Sequence, residues 1–161
     1  MMTWERKTFF RGHAIVLFTT ALLLPMAAPP SARATQTASD AEAETAAKDA
    51  ALGFVGRFDE SDLGGLYDEE LAPVFKALMA RDYFVQQGNS LRLQSGGKAV
   101  GREFVGAQHF TQTPTGQTGS FYWVRYRTRH PNGLVYEDVT VQKVDGNWKV
   151  MGFNTVAAPQ Q

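Results

Sequence analysis

The chain changes its hydrophobic period near its middle. From Ala47 to Phe58, apolar residues recur at steps of three and four: Ala47, Ala50, Ala51, Phe54, Val55 and Phe58. That spacing draws one stripe on a helix. Ser39 or Asp40 is a suitable N-cap, and Asp59-Glu60-Ser61-Asp62 is where the stripe stops. Gly53 and Gly56 weaken such a helix, so they are read as points of close packing against a sheet. Gly64-Gly65 reads as a turn. Leu66, Tyr67, Leu71, Val74, Phe75, Leu78 and Met79 mark a second helix, and Arg81 to Gln94 a third. Gly88 sits awkwardly inside the third, and Ser95-Gly96-Gly97 closes it.

Beyond Gly97 the pattern turns to aromatic and β-branched residues in four runs: 101–111, 119–130, 134–144 and 147–156. Thr-Pro-Thr-Gly at 113–116, Pro131-Asn132-Gly133 and Asp145-Gly146-Asn147 separate them. Asn-Gly and Asp-Gly accept the positive φ of tight hairpins. The expected fold is α+β: N-terminal helices packed on a curved, cone-like, four-stranded antiparallel meander. It forms a single domain over 46–156, after a flexible segment 35–45 and before a loose tail 157–161.

Strand faces follow from the alternation. Tyr122, Val124, Tyr126 and Thr128 suit the helix-covered face. Phe121, Trp123, Arg125, Arg127 and Arg129 suit water. In the third strand Val135, Glu137, Val139 and Val141 share a face, opposite Tyr136, Asp138, Thr140 and Gln142. In the fourth, Trp148/Val150/Gly152 and Met151/Phe153 are equally good candidates for the inner face.

The N-terminus changes where this domain is expected to work. Arg6, Lys7 and Arg11 precede an uncharged run, Ala14 to Ala28, and then Ala32-Arg33-Ala34. Basic head, apolar middle and small-x-small exit make a secretory signal peptide over 1–34, cleaved near Ala34. The run is shorter than the roughly 20 residues a spanning helix needs, and Pro25 interrupts its end. The alternative is a retained anchor. Periplasmic or secreted localisation is expected, with no stable membrane anchor after cleavage.

The whole chain has 16 basic and 16 acidic residues. Losing Arg6, Lys7, Arg11 and Arg33 against Glu5 leaves an acidic excess, unsuited to nucleic acid. With no cysteine, thiol catalysis, disulfides and lipid attachment at a cysteine are excluded.

The block from Gly96 to Val156 carries Arg102, Val105, Ala107-Gln108, a Pro114/Gly119 bracket, Tyr126 with Thr128, Glu137 and Val139-Thr140. Asp145-Gly146-Asn147-Trp148-Lys149-Val150 and Gly152-Phe153 follow. As a set it resembles a bacterial family of unknown function, the one numbered four thousand and nineteen. The likeness extends more loosely through Arg92 and Leu66-Tyr67-Asp68 to Phe54. It implies a small exported protein with helices before a meander. Where the family's helical half has tryptophans, this chain has Tyr67 and Tyr83 or Phe84. The layout is also similar to the nuclear-transport-factor-two-like superfamily, which often encloses a cavity but assigns no chemistry.

Three candidate sites remain. Glu137, placed among valines, is a general base or ligand anchor with a raised pKa, a structural ion pair with Arg102 or Arg92, or a strand-end residue in water. His109 could act as a base. His130, beside Pro131 at a hairpin, is expected in solvent. Trp123, Arg125, Arg127 and Arg129 form a stripe able to hold an anion, a polysaccharide or an acidic partner, or simply a solvated face. No metal site, cofactor loop or nucleophile elbow is present in the pattern. The expected function is an exported non-enzymatic domain that binds a small molecule or an envelope protein, with homodimerisation possible. The alternative is a small cavity enzyme of isomerase, dehydratase or hydrolase type using Glu137 with His109 and Tyr126.

Overall fold

The computed structural model describes residues 38–159. The leader and its cleavage site lie outside the described residues. Four helices, α1 (Ala38–Asp59), α2 (Leu63–Glu69), α3 (Pro73–Leu78) and α4 (Arg81–Ser95), precede four strands. The strands are β1 (Gly101–Gln112), β2 (Thr118–His130), β3 (Gly133–Val144) and β4 (Asn147–Ala157). They form one open antiparallel sheet in the order β1-β2-β3-β4. The α+β expectation therefore holds, with helices first and a meander after them.

The stripe on α1 is the centre of the core. Ala47, Ala51, Phe54, Val55 and Phe58 are buried. Phe54 meets Phe153 of β4 edge-on with ring centroids 5.3 Å apart, and Phe58 meets the same ring at 5.1 Å. Residues 40–45, expected to be a flexible lead-in, already belong to this helix.

The second expected helix is two. Pro73 cannot donate a backbone N–H and pushes the residue before it out of the helical region, so Ala72 is extended and α3 starts afresh. The break is filled by the sheet. Leu71 bridges Val150 in parallel, the Ala72 N–H donates to the Val150 carbonyl at 2.8 Å, and the Val150 N–H donates to the Glu70 carbonyl at 2.8 Å. Gly64 and Gly65, expected as a turn, lie inside α2, because the Asp62 carboxylate accepts the Gly65 N–H and caps the helix.

Tyr67 stands near Phe84 at 5.9 Å between centroids, and its hydroxyl donates to the Met79 carbonyl at 2.8 Å. These two rings occupy the helical half where tryptophans were expected. Gly96, with φ of 83°, closes α4, and the Gly97 N–H donates to the Arg92 carbonyl.

Gly53 and Gly56 were expected to pack closely, yet a Cβ at either would have nothing within 4 Å. The close approach is at Gly88, where a Cβ would lie 2.9 Å from Leu63 Cδ1 and 3.3 Å from Phe58 Cε2. Gly53→Ala should therefore stabilise the protein by about 0.5–1 kcal/mol. Gly88→Ala should destabilise it by about 1–3 kcal/mol. Urea midpoints of the two variants moving in opposite directions would bear this out; a shift of the same sign would refute the packing assignment.

On the sheet, Tyr122, Val124, Tyr126 and Thr128 face the helices together with Val139 and Val141. The ambiguity in β4 has a cause: Met151 is bulged, since Val141 faces Val150 whereas Thr140 faces Gly152. The bulge switches phase, so Trp148 and Val150 point inward before it and Phe153 after it. A second bulge, at Val105, lies on the other edge strand. The β2–β3 ladder runs unbroken from Phe121 to His130.

Phe121, assigned to water, is fully buried. It stacks on Phe110 at 5.1 Å and lies over Gly119, whose missing side chain makes the room. The start of the tail is not loose either: Ala157 ends β4, and the Ala158 N–H donates to the Leu134 carbonyl.

Candidate functional site

Glu137 is 3% exposed on the inner face of β3. Its Oε2 accepts from Arg102 Nε at 2.7 Å and from the Thr128 hydroxyl at 2.6 Å, and its Oε1 accepts from Arg102 Nη2 at 3.2 Å. The same Arg102 Nη2 donates to Asp59 Oδ2 at 3.1 Å, at the last residue of α1. Arg102 thus pins the end of α1 to the sheet. Arg92, the other expected partner of Glu137, instead donates to the Phe58 and Asp59 carbonyls and caps the C-terminus of α1.

His130 completes the cluster. It is 8% exposed, not in solvent as its place beside Pro131 suggested. Nε2 lies 3.4 Å from Glu137 Oε1, and Nδ1 lies 3.1 Å from the Gly97 carbonyl. The alternation 122/124/126/128 points to this placement when carried one step further, and Thr128 lies on the same inward phase.

Burial alone pushes the Glu137 carboxyl up. Bonds from His130, Arg102 and Thr128 outweigh it and hold the carboxyl below the usual carboxylate range. Glu137 is therefore a charged ion-pair member, not a protonated acid. The bond to Glu137 raises His130 above its ordinary value, against burial.

The sign of the linkage follows. His130's contribution is complete below about pH 6.5, the unfolded value, and is lost as pH rises through the raised folded value. Glu137's contribution is present above its ordinary value and is lost as pH falls through the depressed one. Denaturation followed from pH 6 to pH 9 should show stability declining, and His130→Gln should flatten that decline. An equal slope in both proteins would refute the linkage.

His109 does not join this cluster. It is exposed on β1 opposite Tyr122, with Nε2 3.1 Å from the Ser120 hydroxyl. Tyr122 and Tyr126, the β2 partners of His109 and Glu137, are four residues apart, about 13 Å along the strand. The Tyr126 hydroxyl donates to the Lys48 carbonyl, and burial pushes its pKa up to about 12. The three side chains named for the enzyme alternative do not converge. Among the described residues, no group of three or more His, Asp or Glu side chains could hold a metal ion.

The outer face of the sheet carries the other candidate residues. Arg125 donates to both oxygens of Asp138, at 2.7 and 2.8 Å, across the β2–β3 ladder. Its guanidinium lies 4.7 Å from the Trp123 ring centroid and 5.0 Å from that of Tyr136. Arg125 is thus locked rather than a free cation. Arg127 and Arg129 continue the same face, opposite Glu103 and Gly101 of β1. The sequence places both arginines in one stripe with Trp123 but gives Glu103 no part; its place across the ladder from Arg127 follows only from the strand register.

Residues 50–153 match the model of a family described as protein of unknown function (DUF4019). No curated protein and no solved structure matches the chain.

Proposed function

We propose, for a chain that belongs to this DUF4019 family, an exported non-enzymatic domain that binds a small molecule or an envelope protein through the uncovered face of its sheet. The observation that carries the reading is the contrast between the two faces. On the inner face the ionisable side chains are engaged with one another: Asp59, Arg102, Glu137 and His130 form one internal network. On the outer face Trp123, Arg125, Tyr136 and Asp138 form a preorganised aromatic and charged platform. Rings held rigid by a stacked arginine lose little entropy on binding, which favours them as contact residues. Homodimerisation through this face is one form of the same reading. Export rests on the basic, apolar and small-residue order of 1–34.

The test is a photo-reactive residue at Thr140, beside Trp123 on the outer face, with the same residue at exposed Glu42 of α1 as control. Capture in intact cells is expected from 140 and not from 42. Trp123→Ala should abolish capture while stability changes by less than about 1 kcal/mol. Equal capture from both positions would overturn the reading.

A further inference from the structure

The described residues include seven arginines, and five of them are engaged. Arg57 binds Asp62, Glu69 and Glu70, and Arg81 binds Asp68. Arg92 caps α1, Arg102 binds Glu137 and Asp59, and Arg125 binds Asp138. Among the described residues, Arg127 and Arg129 have no carboxylate within 4 Å, even though Glu103 stands directly across the ladder from Arg127. They are two residues apart on one face of β2, so their stems start about 7 Å from each other.

Both line the same depression, about 600 Å³ in volume, at the end of the sheet where β1 begins and the β2–β3 hairpin turns. Glu103, Pro131, Asn132 and Leu134 also line it. The hairpin that walls it is held in place. The Asn132 N–H donates to the Ser95 carbonyl at 3.1 Å, and its side-chain amide donates to the Gln94 carbonyl at 3.0 Å, both at the end of α4.

The geometry points to a binding site for the phosphate group of a phosphorylated ligand, with Arg127 and Arg129 as its two forks. The two oxygens of a carboxylate match the fork of one guanidinium. A tetrahedral phosphate has further oxygens for a second fork, and its higher charge favours two cations. The depression is far larger than a phosphate, so there is room for an organic body against Pro131 and Leu134. Glu103 repels the anion and sets an upper limit on affinity. This inference rests on the binding-domain reading and specifies its ligand.

The test is calorimetric titration of the full chain at low salt with inorganic phosphate and with glycerol 3-phosphate, and sedimentation with phosphatidylglycerol vesicles. Binding is expected, weakened at least roughly tenfold in Arg127→Ala/Arg129→Ala, tightened several-fold in Glu103→Gln, and reduced by added salt. The melting curves of both variants should overlay the parent, since among the described residues neither arginine nor Glu103 holds an ion-pair partner. Binding of the soluble phosphates identifies a free phosphorylated ligand as the source; binding of vesicles alone identifies a lipid headgroup. No binding in any arm, or binding unchanged in the double variant, overturns the site. Retained photo-capture from position 140 in that failed case leaves the binding domain standing and removes only the phosphate.

Discussion

Replacing Glu137 with Gln should destabilise the protein by about 3 kcal/mol, because it removes one member of a buried ion pair and leaves the other. Arg102 would keep only Asp59, and Thr128 and His130 would lose a charged acceptor. For a domain of this size the melting temperature should fall by roughly 10 °C or more. The cycle with Arg102→Met separates pairing from burial: once the guanidinium is gone, removing the carboxylate charge should cost markedly less. A denaturation midpoint unchanged in Glu137→Gln would mean that the carboxyl is already uncharged in the folded protein, contrary to the bonds it accepts.

Phe54→Ala should cost about 3–5 kcal/mol, the range for deleting a fully buried aromatic ring when its cavity cannot collapse. Phe54 is 1% exposed and sits against Phe58 and Phe153, so it is a central contact among those through which α1 holds the sheet. Collapse is restricted here because Arg102 and Arg92 fix the end of α1 just beyond it. The urea midpoint should fall with little change in slope. A loss below 1 kcal/mol would mean that α1 is not docked as described.

The outline of the fold was legible because local signals agreed with one another. The three-four stripe from Ala47 to Phe58 and the Asn-Gly and Asp-Gly punctuation each name one element without help from tertiary structure. The inner alternation of β2 did the same for Tyr122 to Thr128. What was not legible depended on partners distant in sequence. The break at Ala72 is stabilised by Val150, nearly eighty positions away, although Pro73 alone was a local warning. The bulge at Met151 is invisible in a strand whose two faces are both apolar. Gly53, Gly56 and Gly88 look alike in the chain, and only the neighbouring elements decide which one touches anything. At the candidate site, the pairing of Glu137 with Arg102 was one of several readings that the sequence left open. The burial of His130 was missed because the hairpin signal of Pro131 outweighed the strand phase that precedes it.

Order along the chain and order across the sheet coincide, and this bears on how the molecule acquires its shape. Each strand pairs with its sequence neighbour, so each closure spans a short loop and loses little chain entropy. Hairpins of this kind form in about 1–10 μs. The β2–β3 pair has an unbroken register and is therefore expected to form early. The long-range contacts, α1 onto β4 and Leu71 onto Val150, close much larger loops and lose more chain entropy. The folding rate should respond to changes in β2 and β3 more than to changes in α1, as stopped-flow refolding of variants in each element would show.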